Sequence, residues 1–179
     1  MIITTEYEVR KTEIIALFRD TFQASEGLEA GKEIENLVSG LMGLESIEDM
    51  QVFLAIENQE LLGCIIFTPL IYPQDSRKIV ILSPVAVATN HQGKGLGQRL
   101  INQALNDLQL NGVYVIITYG DIKFYSKVGF AQITQADAQA PFELQYPEGW
   151  LGQALGAKDW TPLQGPSQCV EPLNDPVYW

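Results

Sequence analysis

In the N-terminal part of the chain, apolar residues first recur at every second position and then at every third or fourth position. Residues 2–9 alternate between apolar and polar side chains and include Ile, Thr, Tyr and Val, which predicts a strand. Thr12 is expected to cap the helix that follows. Two helical stripes come next, with apolar members Ile14, Ile15, Leu17, Phe18 and Phe22 in the first and Ile34, Leu37, Val38, Leu41 and Met42 in the second. Gly27 and Gly31 flank the predicted break between these helices, and Gly43 ends the second.

The middle of the chain is almost continuously hydrophobic and predicts strands. Residues 51–57 and 61–70 are expected to form an antiparallel hairpin with its turn at residues 58–59. Residues 78–87 are so apolar that both faces of this strand should be covered, yet the run contains Pro84. Because proline lacks the N–H that a ladder needs, the pattern predicts a bulge or an interrupted ladder here.

The second half of the chain begins with an amphipathic helix and continues with a strand, a short helix and another strand. The apolar face of the first helix consists of Leu96, Leu100, Ile101, Ala104, Leu105 and Leu108. Residues 111–112 end this helix, and residues 113–118 predict the next strand. Asp121 is expected to cap a short helix that runs to about Val128, and Phe130 begins another strand.

The three tryptophans, Trp150, Trp160 and Trp179, lie among prolines near the C-terminus. A disordered tail is normally poor in large aromatic side chains, so this tail should pack against folded structure. A chain of 179 residues is long enough for one domain with a substantial core. We therefore predict one domain over residues 1–146 and an irregular tail over residues 147–179 that packs on the same domain.

Composition excludes several classes of protein. The net charge of −11 argues against a nucleic-acid partner, which would require clustered Lys and Arg. No apolar run approaches the length of a membrane span, and the N-terminus lacks the order of a signal peptide, so we expect no membrane partner and a cytoplasmic location. Cys64 and Cys169 are too far apart in sequence to indicate a disulfide framework or a metal site.

The most informative segment is the turn at residues 92–97, Gln-Gly-Lys-Gly-Leu-Gly, between the apolar strand and the amphipathic helix. Its glycines let the backbone approach a ligand closely, and the first amides of the helix suit a phosphate or pyrophosphate. A Walker loop is excluded because Lys94 is followed by Gly95 rather than by a hydroxyl residue. A dinucleotide fingerprint is excluded because Gln98 stands where its last glycine is needed. A simple tight turn is the alternative that remains.

The pattern Q-x-x-G-x-G after the strand Val85-Ala86-Val87 resembles the acetyl-CoA pyrophosphate loop of the GNAT superfamily of N-acetyltransferases. Residues 124–130, Phe-Tyr-Ser-Lys-Val-Gly-Phe, resemble the later Y-x-x-x-G-F element of that family, and together the two matches cover about residues 50–132. The Gly120-Asp121 pair is most similar to the YhbS-like branch of predicted acetyltransferases. Thr118 stands where many members have asparagine.

The resemblance implies a single GNAT-like α/β (α+β) domain with a mixed, mostly antiparallel sheet flanked by helices. Its central strands would splay where the pantetheine arm of acetyl-CoA inserts. The residues implied to bind this co-substrate are Val85, Ala86, Val87, Gln92, Gly93, Lys94, Gly95, Leu96, Gly97, Gln98 and Tyr125. No metal is implied.

Two roles in catalysis are implied as well. Backbone amides of residues 85–87 would polarise the thioester carbonyl. Tyr125 would act as the general acid, because a phenol with a pKa of ~10 is protonated at neutral pH. Residue chemistry alone favours a packed aromatic ring as the interpretation of Tyr125, and the family resemblance reverses that preference.

The predicted reaction is acetyl transfer to a primary amine of a small molecule or a protein, by direct attack in a ternary complex. The alternatives are a non-catalytic acyl-CoA-binding or sensing module and a structural domain without a cofactor. Glu26, Glu29 and Glu45 are candidates for the general base, but a water molecule or a purely solvated helix face explains them equally well. His91 is interpreted as a loop residue at the phosphate end. The identity of the acceptor and the oligomeric state, a homodimer included, stay open.

Overall fold

The computed structural model describes residues 1–46, 48, 50–156 and 161–179. Its strands are β1 (Ile2–Thr4), β2 (Gln51–Glu57), β3 (Glu60–Pro69), β4 (Ile79–Val87), β5 (Val115–Tyr119), β6 (Ala131–Gln132) and β7 (Trp150–Ala154). Its α-helices are α1 (Lys11–Glu26), α2 (Leu28–Met42), α3 (Leu96–Leu110) and α4 (Ile122–Tyr125).

Within the described residues, the seven strands form one sheet in the order β1-β2-β3-β4-β5-β7-β6. Strands β4 and β5 pair in parallel, and the chain between them contains α3. The pairs β1–β2, β2–β3, β5–β7 and β6–β7 are antiparallel. The sheet is therefore mixed and mostly antiparallel, as the sequence predicts.

Helices α1 and α2 belong to the first of two compact units, which comprises Met1–Phe67 and Pro84–Ala104. Gly27, with a φ of +100°, is the one residue between these helices. The sequence predicts that Gly31 also flanks this break, but Gly31 lies inside α2. A Cβ at this position would lie 2.8 Å from the Cβ of Gln23 on α1. Gly31 is therefore needed for the close approach of two helices rather than for a helix end.

The start of α1 also differs from the expectation. Strand β1 has three residues, and a 3-10 turn at Glu8–Arg10 precedes the helix. Arg10, not Thr12, occupies the N-cap position, and no side chain caps the helix. The Arg10 guanidinium instead donates to Glu13 at 2.7 Å and to the Gln59 carbonyl at 3.2 Å. These contacts, one of them far away in the sequence, fix the start of the helix in place of a local cap.

The hairpin of β2 and β3 is confirmed, with Glu57 opposite Glu60. Asn58 and Gln59 have φ values of +51° and +67°. Positive φ at both central residues defines the type I′ geometry, whose twist matches the twist of the flanking strands. The turn therefore has the usual hairpin conformation, although Gln59 is not the glycine that this position favours.

The second compact unit comprises Thr68–Ser83 and Leu105–Trp179. The register of its parallel pair runs from Ile79 opposite Val115 to Leu82 opposite Thr118. The sequence predicts irregular structure throughout residues 147–179, but β7 lies in this segment. It forms because Trp150–Ala154 pair with β5 on one side and, in part, with β6 on the other.

Aromatic side chains near the C-terminus are buried in this second unit. Trp150 is fully buried and Trp179 is 2% exposed. The indole N–H of Trp150 donates to the Ala138 carbonyl, and that of Trp179 donates to the Leu173 carbonyl, both at 2.9 Å. The two indole rings meet edge to face, with centroids 6.0 Å apart. Trp160 lies outside the described residues.

A partly buried ion pair holds residues 161–164 in the same unit. The Arg77 guanidinium binds both carboxylate oxygens of Asp75, one of them through Nε at 2.8 Å. It also donates to the carbonyls of Thr161 and Pro162, at 2.8 and 3.0 Å. The Asp75 carboxylate accepts the Gln164 backbone N–H at 3.1 Å. The Arg77 side chain holds the pKa of Asp75 well below its usual range.

The two cysteines are free thiols in different surroundings. Cys64 is fully buried in β3, and burial raises the pKa of its thiol well above the usual value. Cys169 is half-buried and follows Gln168, whose backbone exchanges two hydrogen bonds of 2.8 Å with Ile71. Burial raises the pKa of the Cys169 thiol as well.

Candidate active site

The glycine-rich turn lies in the first unit, between the end of β4 and the start of α3. Gly93 and Gly95 have φ values of +72° and +76°, in the region that L-residues rarely adopt. A Cβ built at either position would have no other atom within 4 Å. These glycines are therefore required by the backbone path, and the space above them is open.

The first amides of α3 have no partner within the helix. The first backbone bond of the helix runs from the Arg99 N–H to the Gly95 carbonyl, at 3.0 Å. The amides of residues 96–98 precede it and have no intrahelical acceptor. Residues 92–95 are exposed, whereas Leu96 and Gly97 are buried. Exposed backbone next to the positive end of a helix dipole is an arrangement that suits an anion.

Two side chains of the turn bond to nearby backbone carbonyls. The Gln92 amide donates to the Val87 carbonyl at 3.0 Å and so ties the turn to the end of β4. The Lys94 ammonium donates to the Asn90 carbonyl at 3.0 Å. Both residues are exposed, so the Lys94 charge lies at the surface of the turn. Gln92 thus shapes the loop, and Lys94 adds positive charge to it.

The strand segment Val85-Ala86-Val87 continues beyond the pairing with β5. The last pair of the β4–β5 register joins Leu82 to Thr118, before Pro84 is reached. The β4–β5 ladder is therefore interrupted near Pro84, as the sequence predicts. On the β3 side, a Cβ at Gly63 would lie 3.2 Å from the Ala86 carbonyl, which shows how closely these strands approach.

Tyr125 lies in the second unit, at the end of α4. The Asp121 side chain caps this helix by accepting the Lys123 N–H at 2.8 Å, as the sequence predicts. The Tyr125 ring is 9% exposed and meets Phe124 and Phe130 edge to face, with centroid distances of 5.0 and 5.6 Å. A Cβ at Gly120 would lie 2.8 Å from Cε2 of this ring. Gly120 therefore makes room for Tyr125.

Burial raises the pKa of Tyr125, and the Thr118 side chain lowers it by a smaller amount. The phenol is therefore protonated at neutral pH. Thr118, which stands where many family members have asparagine, is fully buried, and its hydroxyl donates to the Leu82 carbonyl at 2.9 Å.

The candidate bases lie at the surface. Glu26, Glu29 and Glu45 are exposed, and Glu29 accepts a hydrogen bond from Lys32 at 3.0 Å. His91 ends a 3-10 turn, and its backbone N–H donates to the Ala88 carbonyl at 2.7 Å. These contacts are those of a solvated helix face and a loop, so no carboxylate is singled out.

Among the residues that the structure describes, no group of three or more His, Cys, Asp or Glu side chains is arranged to hold a metal ion. The helices of the same residues include none that is long and apolar enough to cross a membrane.

Comparison with known proteins agrees with this arrangement. The family described as "Acetyltransferase (GNAT) domain" matches residues 48–132. The N-acetyltransferase YjhQ of Escherichia coli K12 is 32% identical over 143 residues, covering 76% of this chain and 78% of the relative. The N-acetyltransferase YhbS of the same strain is 25% identical over 130 residues, covering 73% of each chain. The chain therefore belongs to the GNAT family of N-acetyltransferases.

Solved structures confirm the fold. The crystal structure of Escherichia coli YhbS in complex with CoA has a TM-score of 0.78 at 22% identity, covering 97% of this chain and 92% of YhbS. A GNAT acetyltransferase from Brucella melitensis in complex with acetyl-CoA has a TM-score of 0.72 at 22% identity, covering 96% of this chain and 97% of that one. The predicted single α/β domain with a mixed sheet is thus confirmed.

Proposed function

We propose that the protein transfers the acetyl group of acetyl-CoA to a primary amine, by direct attack within a ternary complex. The observation that carries this proposal is the turn at residues 92–97. Gly93 and Gly95 have positive φ values there, and the backbone around them is exposed. The first amides of α3, which follow directly, have no partner within the helix. Both features fit a pyrophosphate, and the related YhbS and Brucella melitensis proteins were solved with CoA and acetyl-CoA.

Each proposed contact has a separate chemical task. The amides of residues 93–98 bind the pyrophosphate, with the Lys94 ammonium adding charge. Backbone N–H groups of Val85-Ala86-Val87 hold the pantetheine arm and polarise the thioester carbonyl, where negative charge develops during attack.

Acetyl-CoA supplies a thioester, whose carbonyl carbon accepts the amine lone pair while the carbon–sulfur bond breaks. The Tyr125 phenol donates its proton to the departing sulfur, which carries away the electron pair of that bond. The proton that the acceptor nitrogen loses passes to water or to a surface carboxylate. The acceptor is a primary amine of a small molecule or a protein, and the net charge of −11 favours a cationic one.

The substitution Gly95→Asp tests the binding site. A side chain and a negative charge would enter the space that the pyrophosphate needs, so we expect acetyl-CoA affinity to fall by at least about 100-fold. Titration calorimetry of the purified proteins with acetyl-CoA measures this loss.

Gly112→Asp provides a matched control. Gly112 lies just beyond the other end of α3, has a φ of +76° and has no atom within 4 Å of a Cβ. Both variants carry the same backbone strain and the same added charge. Equal acetyl-CoA affinity in the two variants would contradict the proposed site.

A further inference from the structure

Gly120 lies between the end of β5 and Asp121, the residue that caps α4. A Cβ built on Gly120 would lie 2.8 Å from Cε2 of the Tyr125 ring and 3.8 Å from Cζ, the carbon that carries the hydroxyl. A methyl group at this position would therefore meet the hydroxyl end of the ring. The absence of a side chain at Gly120 is what allows the phenol to lie where it does.

The Tyr125 ring has little room to move away from Gly120. The ring is 9% exposed, and the Phe130 ring meets it edge to face with centroids 5.6 Å apart. The Tyr125 N–H donates to the Asp121 carbonyl at 3.1 Å, and the Phe130 N–H donates to the Tyr125 carbonyl at 3.2 Å. Because side chains in a close-packed interior have few alternative positions, these contacts confine the ring.

The backbone of Gly120 is itself held in place. Its N–H donates to the Gly149 carbonyl at 2.9 Å, one step beyond the last pair of the β5–β7 register, Tyr119 with Trp150. A Cβ built on Gly149 would lie 3.1 Å from the Gly120 carbonyl oxygen, so the two backbones approach closely. Gly149 lies beyond residues 48–132, the segment that matches the family. The support of the Tyr125 ring therefore extends into the C-terminal part of the second compact unit.

Proton transfer is sensitive to a small displacement of this ring. A general acid has to come within about 2.6–3.2 Å of the atom that receives its proton. Carbon atoms in contact are normally about 3.5–4.0 Å apart, so an alanine at position 120 would force the ring to move by about 1 Å. A displacement of this size can lower a rate by about 100-fold.

We propose that Gly120 is a positioning residue for acetyl transfer, because its missing side chain and its hydrogen bond to Gly149 set the place from which the Tyr125 hydroxyl donates its proton. This inference rests on the proposed function of Tyr125. Gly120 itself exchanges no proton and acts only through the Tyr125 ring.

The test variant is Gly120→Ala, and Gly31→Ala is its matched control. Neither glycine has a φ in the left-handed region, so alanine fits the backbone at both positions. A Cβ at Gly31 would also lie 2.8 Å from a carbon atom, the Cβ of Gln23. We expect kcat of Gly120→Ala to fall by about 10- to 100-fold with KM for acetyl-CoA unchanged, and kcat of Gly31→Ala to stay near the parent value. Equal losses of kcat in the two variants would overturn the proposal.

The Tyr125→Phe background separates this role from a merely structural one. Phenylalanine has the same ring carbons, so the methyl group of Gly120→Ala meets the same atoms in both backgrounds. If Gly120 acts through the phenol, Gly120→Ala should cause no further loss of kcat once the hydroxyl is absent. An equal loss in both backgrounds would overturn the proposal. All rates are measured below the unfolding temperature of each variant, as determined by calorimetry.

A readout independent of turnover tests the contact itself. The seven tyrosines of the protein are labelled with ¹³C at Cζ, and the Tyr125 resonance is assigned by its loss in Tyr125→Phe. We expect Gly120→Ala to shift this resonance and Gly31→Ala to leave it in place. An unmoved resonance in Gly120→Ala would overturn the proposal. Full turnover by Tyr125→Phe, together with a shifted resonance in Gly120→Ala, would instead refute the general-acid role and leave the contact between Gly120 and the ring established.

Discussion

At the scale of single residues, Tyr125 is a packed ring whose phenol keeps its proton at neutral pH. Its ring contacts agree with the interpretation that residue chemistry alone favours. Burial raises the pKa of the phenol, which keeps it in the protonated form that a general acid needs. The family motif predicts the tyrosine, but the contacts of its ring with Gly120 and Phe130 depend on how the elements pack, which one sequence does not specify.

Replacing Tyr125 with phenylalanine removes only the hydroxyl. If the phenol protonates the leaving sulfur, turnover should fall by about 10²–10⁴-fold while acetyl-CoA affinity stays near the parent value. Steady-state rates with an acceptor found by screening, together with calorimetry, measure both quantities.

Tyr119→Phe is the control for this experiment. The Tyr119 hydroxyl accepts the Tyr146 backbone N–H at 2.6 Å, and its ring contacts Trp150. Its loss should lower stability and leave turnover unchanged. If Tyr125→Phe behaves in the same way while chemistry is rate-limiting, Tyr125 has no part in the reaction.

At the scale of elements, the sequence correctly predicts those helices and strands that are determined by local residue patterns. The β2–β3 hairpin, α3 and the short helix capped by Asp121 all form near their predicted positions. The expectations that differ depend on how the elements pack on each other: Gly31 packs against α1, and β7 pairs with strands on both sides. In the candidate site, the spacing of the glycines identifies the exposed turn. The hydrogen bonds of Gln92 and Lys94 to backbone carbonyls are visible only in the structure.

The hairpin turn offers a test of local strain. Gln59 has a φ of +67° and an exposed side chain, so Gln59→Gly removes a steric cost without removing a buried contact. We expect the free energy of unfolding to rise by about 1 kcal/mol, with glycine's greater freedom in the unfolded chain reducing the gain.

Urea denaturation of the parent and variant measures this change. Glu60→Gly serves as the control, because Glu60 begins β3 and its φ is outside the left-handed region. Glycine should destabilise the protein there. A loss of stability in Gln59→Gly as well would contradict the strain inferred for the turn.

At the scale of the whole molecule, the C-terminal tail is held by backbone, indole and ionic contacts within the second unit. The Ile71–Gln168 bridge, the buried Trp179 and the Arg77–Asp75 pair each restrain a different part of it. We propose that the tail is an integral part of the same domain.

Hydrogen exchange tests the attachment of the tail. We expect the backbone N–H groups of Gln164, Gln168 and Trp179 to be protected, because each donates to a protein acceptor. Exchange at random-coil rates throughout residues 161–179 would rule out a docked tail.

Asp75→Asn should speed exchange at Gln164 by removing the charged acceptor. The Asp75 pKa is lowered in the folded protein, so its stabilising effect is complete above the unfolded pKa of about 4 and is lost as pH falls below it. The variant should therefore lose less stability than the parent on acidification. Asp20→Asn, which breaks an exposed pair with Arg19, is the control.

Because the two thiols are buried to different extents, their chemical modification can distinguish local detachment of the tail from unfolding of the whole chain. Cys169 adjoins the backbone bridge of the tail, whereas Cys64 is enclosed in β3. A maleimide dye should modify one thiol per molecule when only the tail detaches and both thiols when the whole chain unfolds, because each must become accessible and ionised to react. Mass spectrometry of the labelled protein would then distinguish molecules that carry one dye from molecules that carry two.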